Sequence, residues 1–254
     1  MGRVFVELIS TDPGFELVGA TASPASPNLD KPVGSLIGRP AIVVPLTAQP
    51  SSALQRADVA IDVALPVAAS NNLEACVAAD VPLVMGTTGH DQAIQPQIVA
   101  AAERIPVLVA PNMSLGVNVL LELAERAARA LDAGFDAEVF EAHHRHKRDA
   151  PSGTALAIGE AVARGRGVNL ADVAVYTRHG PQEARTRGSI GFAVLRAGDI
   201  VGEHVLTFAG PGERIELAHR VSDRSTFARG GLEAARWLAG QAPGRYSMRD
   251  VLAL

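Results

Sequence analysis

The chain has 254 residues, of which 48% are hydrophobic, 20% charged and only 4% aromatic. It is long enough to bury a large core in one big α/β domain or two modest ones, and too apolar and weakly charged for a disordered protein. A formal net charge of −4, with no basic block interleaved with aromatics, argues against a nucleic-acid or membrane-surface binder.

The scarcity of aromatics leaves the core to Ala, Val, Leu and Ile, which suit the close layers of an α/β sandwich. Cys76 stands alone, so no internal disulfide framework is possible. The opening residues lack the apolar core of a signal peptide, and no apolar run is long enough to span a bilayer. The expectation is a soluble, cytoplasmic protein.

In chain order, Val4, Phe5, Leu8 and Ile9 fall at helical spacing, and Asp12-Pro13-Gly14 ends that helix. The stretch from Phe15 to Ala22 reads as a strand and that from Pro24 to Gly38 as a loop. A regular alternation follows. Strands are expected from Val59 to Leu65, Pro82 to Met85 and Val107 to Ala110. Helices are expected from Asn71 to Ala79, Asp91 to Arg104 and Val117 to Leu131. Short apolar strands alternating with helices indicate βαβ units and a parallel sheet covered on both faces.

After Phe135 the rhythm changes. Ala137 to Ala142 reads as a strand, and Ser152 to Arg164 as a helix opened by Pro151-Ser152-Gly153. Strands are expected from Val173 to Thr177, Ser189 to Leu195, Ile200 to Phe208 and Arg214 to Val221. Their turns, Ala197-Gly198-Asp199 and Pro211-Gly212-Glu213, suggest an antiparallel meander. A last helix from Phe227 to Gly240 precedes a short tail. The fold class is therefore α/β. A doubly wound parallel-sheet domain (residues 1–114 and 226–254) is joined to an α+β domain with an open mixed or antiparallel sheet (residues 115–225).

The densest chemical cluster runs from Glu141 to Thr154. It holds three of the seven histidines, and every residue from His143 to Arg148 is a potential cation. Such a segment at a strand end suits an anion with more than one negative group. Ser152-Gly153-Thr154 then opens a helix, whose free N–H groups and dipole bind carboxylate or phosphate. Of 23 basic residues only Lys31 and Lys147 are lysine. Arg stays protonated at any useful pH whereas Lys can surrender a proton, so a Lys inside a His cluster suggests proton donation. A solvated basic loop is the plainer alternative. Zinc held by His143, His144 and His146 is disfavoured by their spacing and by flanking cations, and no metal is expected.

Two further strand ends carry small or polar residues: Gly86-Thr87-Thr88-Gly89, and Pro111-Asn112-Met113-Ser114, which brings an amide and a hydroxyl toward the same crevice. Successive parallel strands ending this way line the usual nucleotide edge of a sheet. His90, His179, His204 and His219 read as structural or surface residues, and Cys76 as a small buried hydrophobe.

Together these residues resemble the 4-hydroxy-tetrahydrodipicolinate reductase (dihydrodipicolinate reductase) family of lysine and diaminopimelate synthesis. The resemblance covers nearly the whole chain. It rests on Gly86 to Gly89, Asn112 to Val119, Glu141 to Leu156, Gly188 to Phe192 and Arg196 to His204, with the Glu-Ala-His-His-Arg-His-Lys string the most specific. It implies an NAD(P)-dependent oxidoreductase in which NADPH or NADH delivers a hydride to a cyclic imine dicarboxylate. By that resemblance His143 and Lys147 are the catalytic acid/base pair, Lys147 the favoured donor. His144, Gly153 and Thr154 hold a substrate carboxylate. Gly86, Thr87, Thr88, Pro111, Asn112, Met113 and Ser114 contact the cofactor. It also implies a homotetramer built through the sheet of the second domain, the first domain being the dinucleotide binder; the charge and apolar pattern give no expectation of a nucleic-acid or membrane partner.

Two departures accompany the resemblance. The family opens on a strand and a Gly-x-x-Gly-x-x-Gly loop, whereas this chain starts at Met1-Gly2-Arg3, where that loop ends, so the strand and most of the loop are expected to be lacking. The segment Ala20-Thr21-Ala22-Ser23-Pro24 has no carboxylate for the adenine ribose. Another two-domain nicotinamide-dependent dehydrogenase and a non-catalytic truncated homologue remain as alternatives.

Overall fold

A computed structural model describes residues 1–89, 93–181 and 183–254. They divide into two units: unit 1, Met1–Leu115 with Ser225–Leu254, and unit 2, Gly116–Arg224.

Unit 1 begins with α1 (Gly2–Ile9), whose Phe5 is buried. Then come β1 (Ala20–Thr21), a 3₁₀ turn (Val33–Leu36), β2 (Leu46–Thr47), α2 (Pro50–Ala53), β3 (Ala60–Asp62), α3 (Ala69–Ala79), β4 (Leu83–Met85), α4 (Ile94–Ala102) and β5 (Pro106–Val109). The helix α5 (Leu115–Ala130) leads into unit 2, which continues with β6 (Asp136–His143), α6 (Gly153–Arg166), α7 (Leu170–Val173), β7 (Ala174–Val175), β8 (Ile190–Arg196), β9 (Gly202–Gly210) and β10 (Glu213–Val221). The chain closes in unit 1 with α8 (Ser225–Leu238), β11 (Gly244–Tyr246) and α9 (Met248–Val251).

In unit 1, β11, β5, β4 and β3 form a parallel sheet in that order, and β1 pairs in parallel with β2. One core cluster joins Leu73, Cys76, Ile98 and Ile105 to Leu83, Met85 and Val107. Another joins Phe5 and the α8 residues Leu232, Ala235 and Leu238 to Val84 and Leu108. The opposite-facing neighbours Met85 and Val84 thus enter different clusters, so helices cover both faces.

The strand expected from Phe15 to Ala22 shrinks to Ala20–Thr21. Phe15 instead lies beneath the Arg236 guanidinium, 4.8 Å from ring centroid to Cζ. The tail after α8 is not featureless: Arg245 pairs with Val107, and Ser247 and Asp250 form a capping box that starts α9. The expected helix from Asp91 is seen as Ile94–Ala102; Asp91, like His90, lies outside the described residues.

Unit 2 is a five-stranded sheet in the order β10-β9-β6-β8-β7. It is mixed: β6 runs parallel to β8 and antiparallel to β9. The antiparallel meander read from the turns is corrected here. Among the described residues only β9 and β10 form a hairpin, turning at Pro211-Gly212, where Gly212 has φ +80 as the third position of a type II turn requires. The Ala197-Gly198-Asp199 turn does not make β8 and β9 partners, because β6 lies between them. The turn passes over the end of β6, accepting from Arg145 N at Gly198 O and donating from Ala197 N to His143 O.

The period-2 alternation of β6 sends Ala137 and Val139 into a core with Leu120 and Ala124 of α5 and Ile158 and Val162 of α6. Glu141 and His143 continue that same face beyond the apolar core. Glu138, Phe140 and Ala142 point the other way.

Candidate active site

Glu141 and His143 share the helix-covered face of β6, and register adds two neighbours: Arg196 of β8 lies beside His143, and His204 of β9 beside Glu141. Glu141 is fully buried. Its Oε1 accepts from Arg196 Nη2 at 2.7 Å and from Ser152 N at 3.0 Å. Its Oε2 accepts from Arg196 Nη1 at 2.8 Å and lies 2.5 Å from His143 Nδ1. Burial pushes the Glu141 carboxyl up, but the bonds from Arg196, His143 and Ser152 outweigh it and hold the group below the usual carboxylate value. Burial pushes His143 below its ordinary value, partly opposed by Glu141 and assisted by Lys147 and Arg196.

Ser152 caps α6. Its Oγ accepts from Ala155 N at 3.1 Å and lies 3.1 Å from His204 Nε2. Burial drives His204 down to about 4, so its ring is neutral at ordinary pH. The His143 and His204 rings meet edge to face at 5.2 Å. Of the two expectations for His204, structural or surface, the structure gives the first: it is buried and lies against the Ser152 cap.

Beyond His143 the chain turns back: Lys147 N donates to His144 O, and Lys147 Nζ lies 2.8 Å from Asp149 Oδ2. That bond holds the Asp149 carboxyl below its usual value. The contrast between the two lysines is clear, since Lys31 sits on the surface, bonded to Asn28, whereas the Lys147 side chain is only 22% exposed. His144 Nδ1 is buried without a hydrogen-bond partner among the described residues. A Cβ on Gly153 would meet nothing within 4 Å, so the start of α6 faces open space. The end of β6 thus carries histidines and a Lys, and the capped 14-residue helix that follows has an uncrowded N-terminus, a combination able to receive an anion.

In unit 1 the remaining candidates sit past the C-terminal ends of β4 and β5, whose last residues Met85 and Val109 are paired. Gly86 lies against Met113: a Cβ there would come within 2.6 Å of the Met113 methyl. The Thr87 hydroxyl donates to Ala64 O at 3.3 Å, and Asn112 Oδ1 accepts from Ser114 N at 2.9 Å. Thr87, Met113 and Ser114 are buried, whereas Thr88 and Pro111 are exposed. Beneath this loop α8 approaches so closely that a Cβ on Gly230 would lie 1.8 Å from Met113 O. Two close-packed, backbone-rich loops at the carboxyl edge of a parallel sheet could hold a nicotinamide dinucleotide, Thr88 being exposed and Asn112 half-buried there. Cys76 is buried in α3, its thiol pushed up to about 12 chiefly by burial, and takes no part.

The family description "Dihydrodipicolinate reductase, N-terminus" matches residues 1–113, and "Dihydrodipicolinate reductase, C-terminus" matches residues 116–252. The chain belongs to the dihydrodipicolinate reductase family. It is 52% identical over 261 residues to a 4-hydroxy-tetrahydrodipicolinate reductase of Thiobacillus denitrificans, covering all of this chain and 95% of that one. It is 50% identical over 254 residues to the same-named protein of Alkalilimnicola ehrlichii, again covering all of this chain and 95% of that one. The fold is similar to that of a dipicolinate-bound dihydrodipicolinate reductase from Paenisporosarcina sp. TG-14, with a TM-score of 0.74 at 23% identity over 97% of this chain and 92% of that one.

The sequence pattern alone marks no role for Glu141 or Arg196. The signal for Glu141 was present, because residues two apart on a strand share a face. Arg196 required knowing that β8 lies beside β6.

Proposed function

We propose that this chain performs the reaction of its family, the NAD(P)H-dependent reduction of 4-hydroxy-tetrahydrodipicolinate to tetrahydrodipicolinate, with unit 2 binding the substrate and supplying the proton. Family membership across both halves makes the chain an NAD(P)-dependent oxidoreductase of lysine and diaminopimelate synthesis. NADPH or NADH, when bound, supplies the hydride; Gly86, Thr87, Thr88 and Pro111 to Ser114 form its site in unit 1.

Loss of the 4-hydroxyl as water leaves a conjugated imine, and hydride addition to that imine must be matched by a proton. Among the titratable groups at the β6 end, the family resemblance assigns that step to His143 and Lys147, Lys147 being the donor and His143 its acid/base partner. His144 and the Gly153 and Thr154 amides hold a ring carboxylate, which the α6 dipole favours. The observation that carries this reading is the open helix start at Gly153 beside a strand end whose imidazole is already fixed by a buried carboxylate.

The outer face of the unit 2 sheet presents Phe140 and Leu195, 40% and 42% exposed, and supports a homotetramer assembled through that sheet. Among the described residues no helix is long and apolar enough to cross a membrane, in keeping with work in the cytoplasm. Light scattering should return four times the chain mass of 26.4 kDa.

The test of function is NADPH consumption by the purified chain with 4-hydroxy-tetrahydrodipicolinate as the acceptor. Turnover dependent on that acceptor is expected. No turnover with it, alongside reduction of unrelated imines or carbonyls, would overturn the assignment.

A further inference from the structure

The Glu141 carboxylate is bonded to both halves of the proposed substrate site. Arg196 grips it with both terminal nitrogens and is itself anchored, donating to Leu195 O at 2.8 Å and Asp149 O at 2.7 Å. An ion pair with Arg196 alone would satisfy the charge, yet each Glu141 oxygen takes a second partner. One faces His143 Nδ1; the other accepts from Ser152 N, directly before the helix start that holds the carboxylate. A buried ion pair is weak evidence of a stabilising role, since apolar side chains of the same volume often stabilise as well. The distribution of its bonds is the informative feature.

We infer that Glu141 is the positioning residue of this site, holding His143 in the tautomer with Nδ1–H toward Glu141 and Nε2 free for proton exchange, while pinning the start of α6 through Ser152. The inference rests on the proposed role of His143. With Nδ1–H donated to the carboxylate, the imidazole can neither flip nor present the wrong nitrogen. Gly202, opposite on β9, leaves the other edge uncrowded, because a Cβ there would stand 3.2 Å from His143 Nε2. The charged and titratable groups around the ring are Glu141 on its own strand, Arg196 on β8, His204 on β9 and Lys147 in the following loop. Among these Glu141 alone favours the imidazolium.

The experiment is a kinetic double-mutant cycle of Glu141→Gln and His143→Gln in the full chain. Loss of a carboxylate that fixes an imidazole tautomer should lower kcat about 10²-fold or more. His143→Gln should lower it roughly 10²–10⁴-fold. If Glu141 acts through His143, the double variant turns over no more slowly than His143→Gln alone, because groups acting as a unit are non-additive. In Glu141→Gln the acidic limb of the kcat/KM profile should also move to lower pH, since the charge that favours imidazolium is gone, and KM for substrate should rise through Ser152. Multiplicative losses in the double variant, or wild-type kcat and pH profile in Glu141→Gln, would overturn the inference. Full turnover in His143→Gln would instead overturn the role of His143 itself. Should Glu141→Gln not fold, Glu141→Asp keeps the charge on a shorter arm: a fall in kcat with an unmoved acidic limb supports positioning, and wild-type kcat overturns it.

Discussion

In unit 1 the candidate loops are shaped by close approach: Gly86 against Met113, and Met113 O against Gly230 of α8. In unit 2 the candidate residues are shaped by charge: Arg196, Glu141, His143 and Ser152 form a continuous bonded chain across β8, β6 and the start of α6. A cofactor whose chemistry is its own needs a surface of fixed shape. A site that must exchange a proton needs titratable groups whose state is set by neighbours. The first kind of site fails when volume is added, the second when a partner is removed.

For stability and affinity, the largest effect should follow from adding volume in unit 1. Gly230→Ala drives a methyl into a backbone carbonyl that cannot rotate away, so we expect about 3 kcal/mol of destabilisation and weaker NADPH binding. Thermal melting and fluorescence titration check both. The counterpart in unit 2 is Gly153→Ala, where the methyl meets nothing within 4 Å: melting should be unchanged, and KM for the dicarboxylate should rise as the methyl enters the open space. Equal destabilisation in the two variants would erase the contrast.

A smaller effect concerns pH. His204 is held neutral down to about 4, chiefly by burial, whereas in the unfolded chain it titrates near its ordinary 6.5. The unfolded state therefore takes up a proton that the folded state refuses, so the contribution is complete above pH 6.5 and is lost as pH falls toward 4. Between pH 8 and pH 5 the loss is about 2 kcal/mol. His204→Gln should thus lose about that much less stability than wild type over the same interval, as read by urea melts at both values. Parallel losses in the two proteins would show that His204 is not the titrating group.

How much of this was legible in the sequence follows the same division. The parallel sheet of unit 1 showed itself through short apolar strands bounded by Gly and Pro. Lys147 and the Ser152-Gly153-Thr154 helix start showed themselves through residue type alone. What stayed hidden was long-range. Nothing in the local pattern of Val139 to Leu195 says that β6 inserts between β8 and β9, which is the fact that brings Arg196 and His204 to Glu141. The elements β2 and α2, of two and four residues, are too short to carry a period, and β11 is defined by its pairing with β5 rather than by its own residues.

The smallest effect concerns the cofactor. Ser23, exposed just past β1, accepts from Ala25 N at 3.3 Å and offers no negative charge against a 2′-phosphate. NADPH should be used at least as well as NADH, and Ser23→Asp should weaken NADPH alone by about fivefold, the size of one exposed charge interaction. A strong NADH preference in the wild-type chain, or equal weakening of both cofactors in the variant, would remove Ser23 from the choice.

The division of labour itself is tested most directly by Lys147→Ala, with turnover and NADPH affinity measured on the same preparation. Loss of a positioned proton donor should lower kcat roughly 10²–10⁴-fold while the Kd for NADPH stays at the wild-type value, and Lys147→Arg should restore the charge but not the rate. Unchanged turnover, or a loss that tracks weakened NADPH binding, would contradict the account.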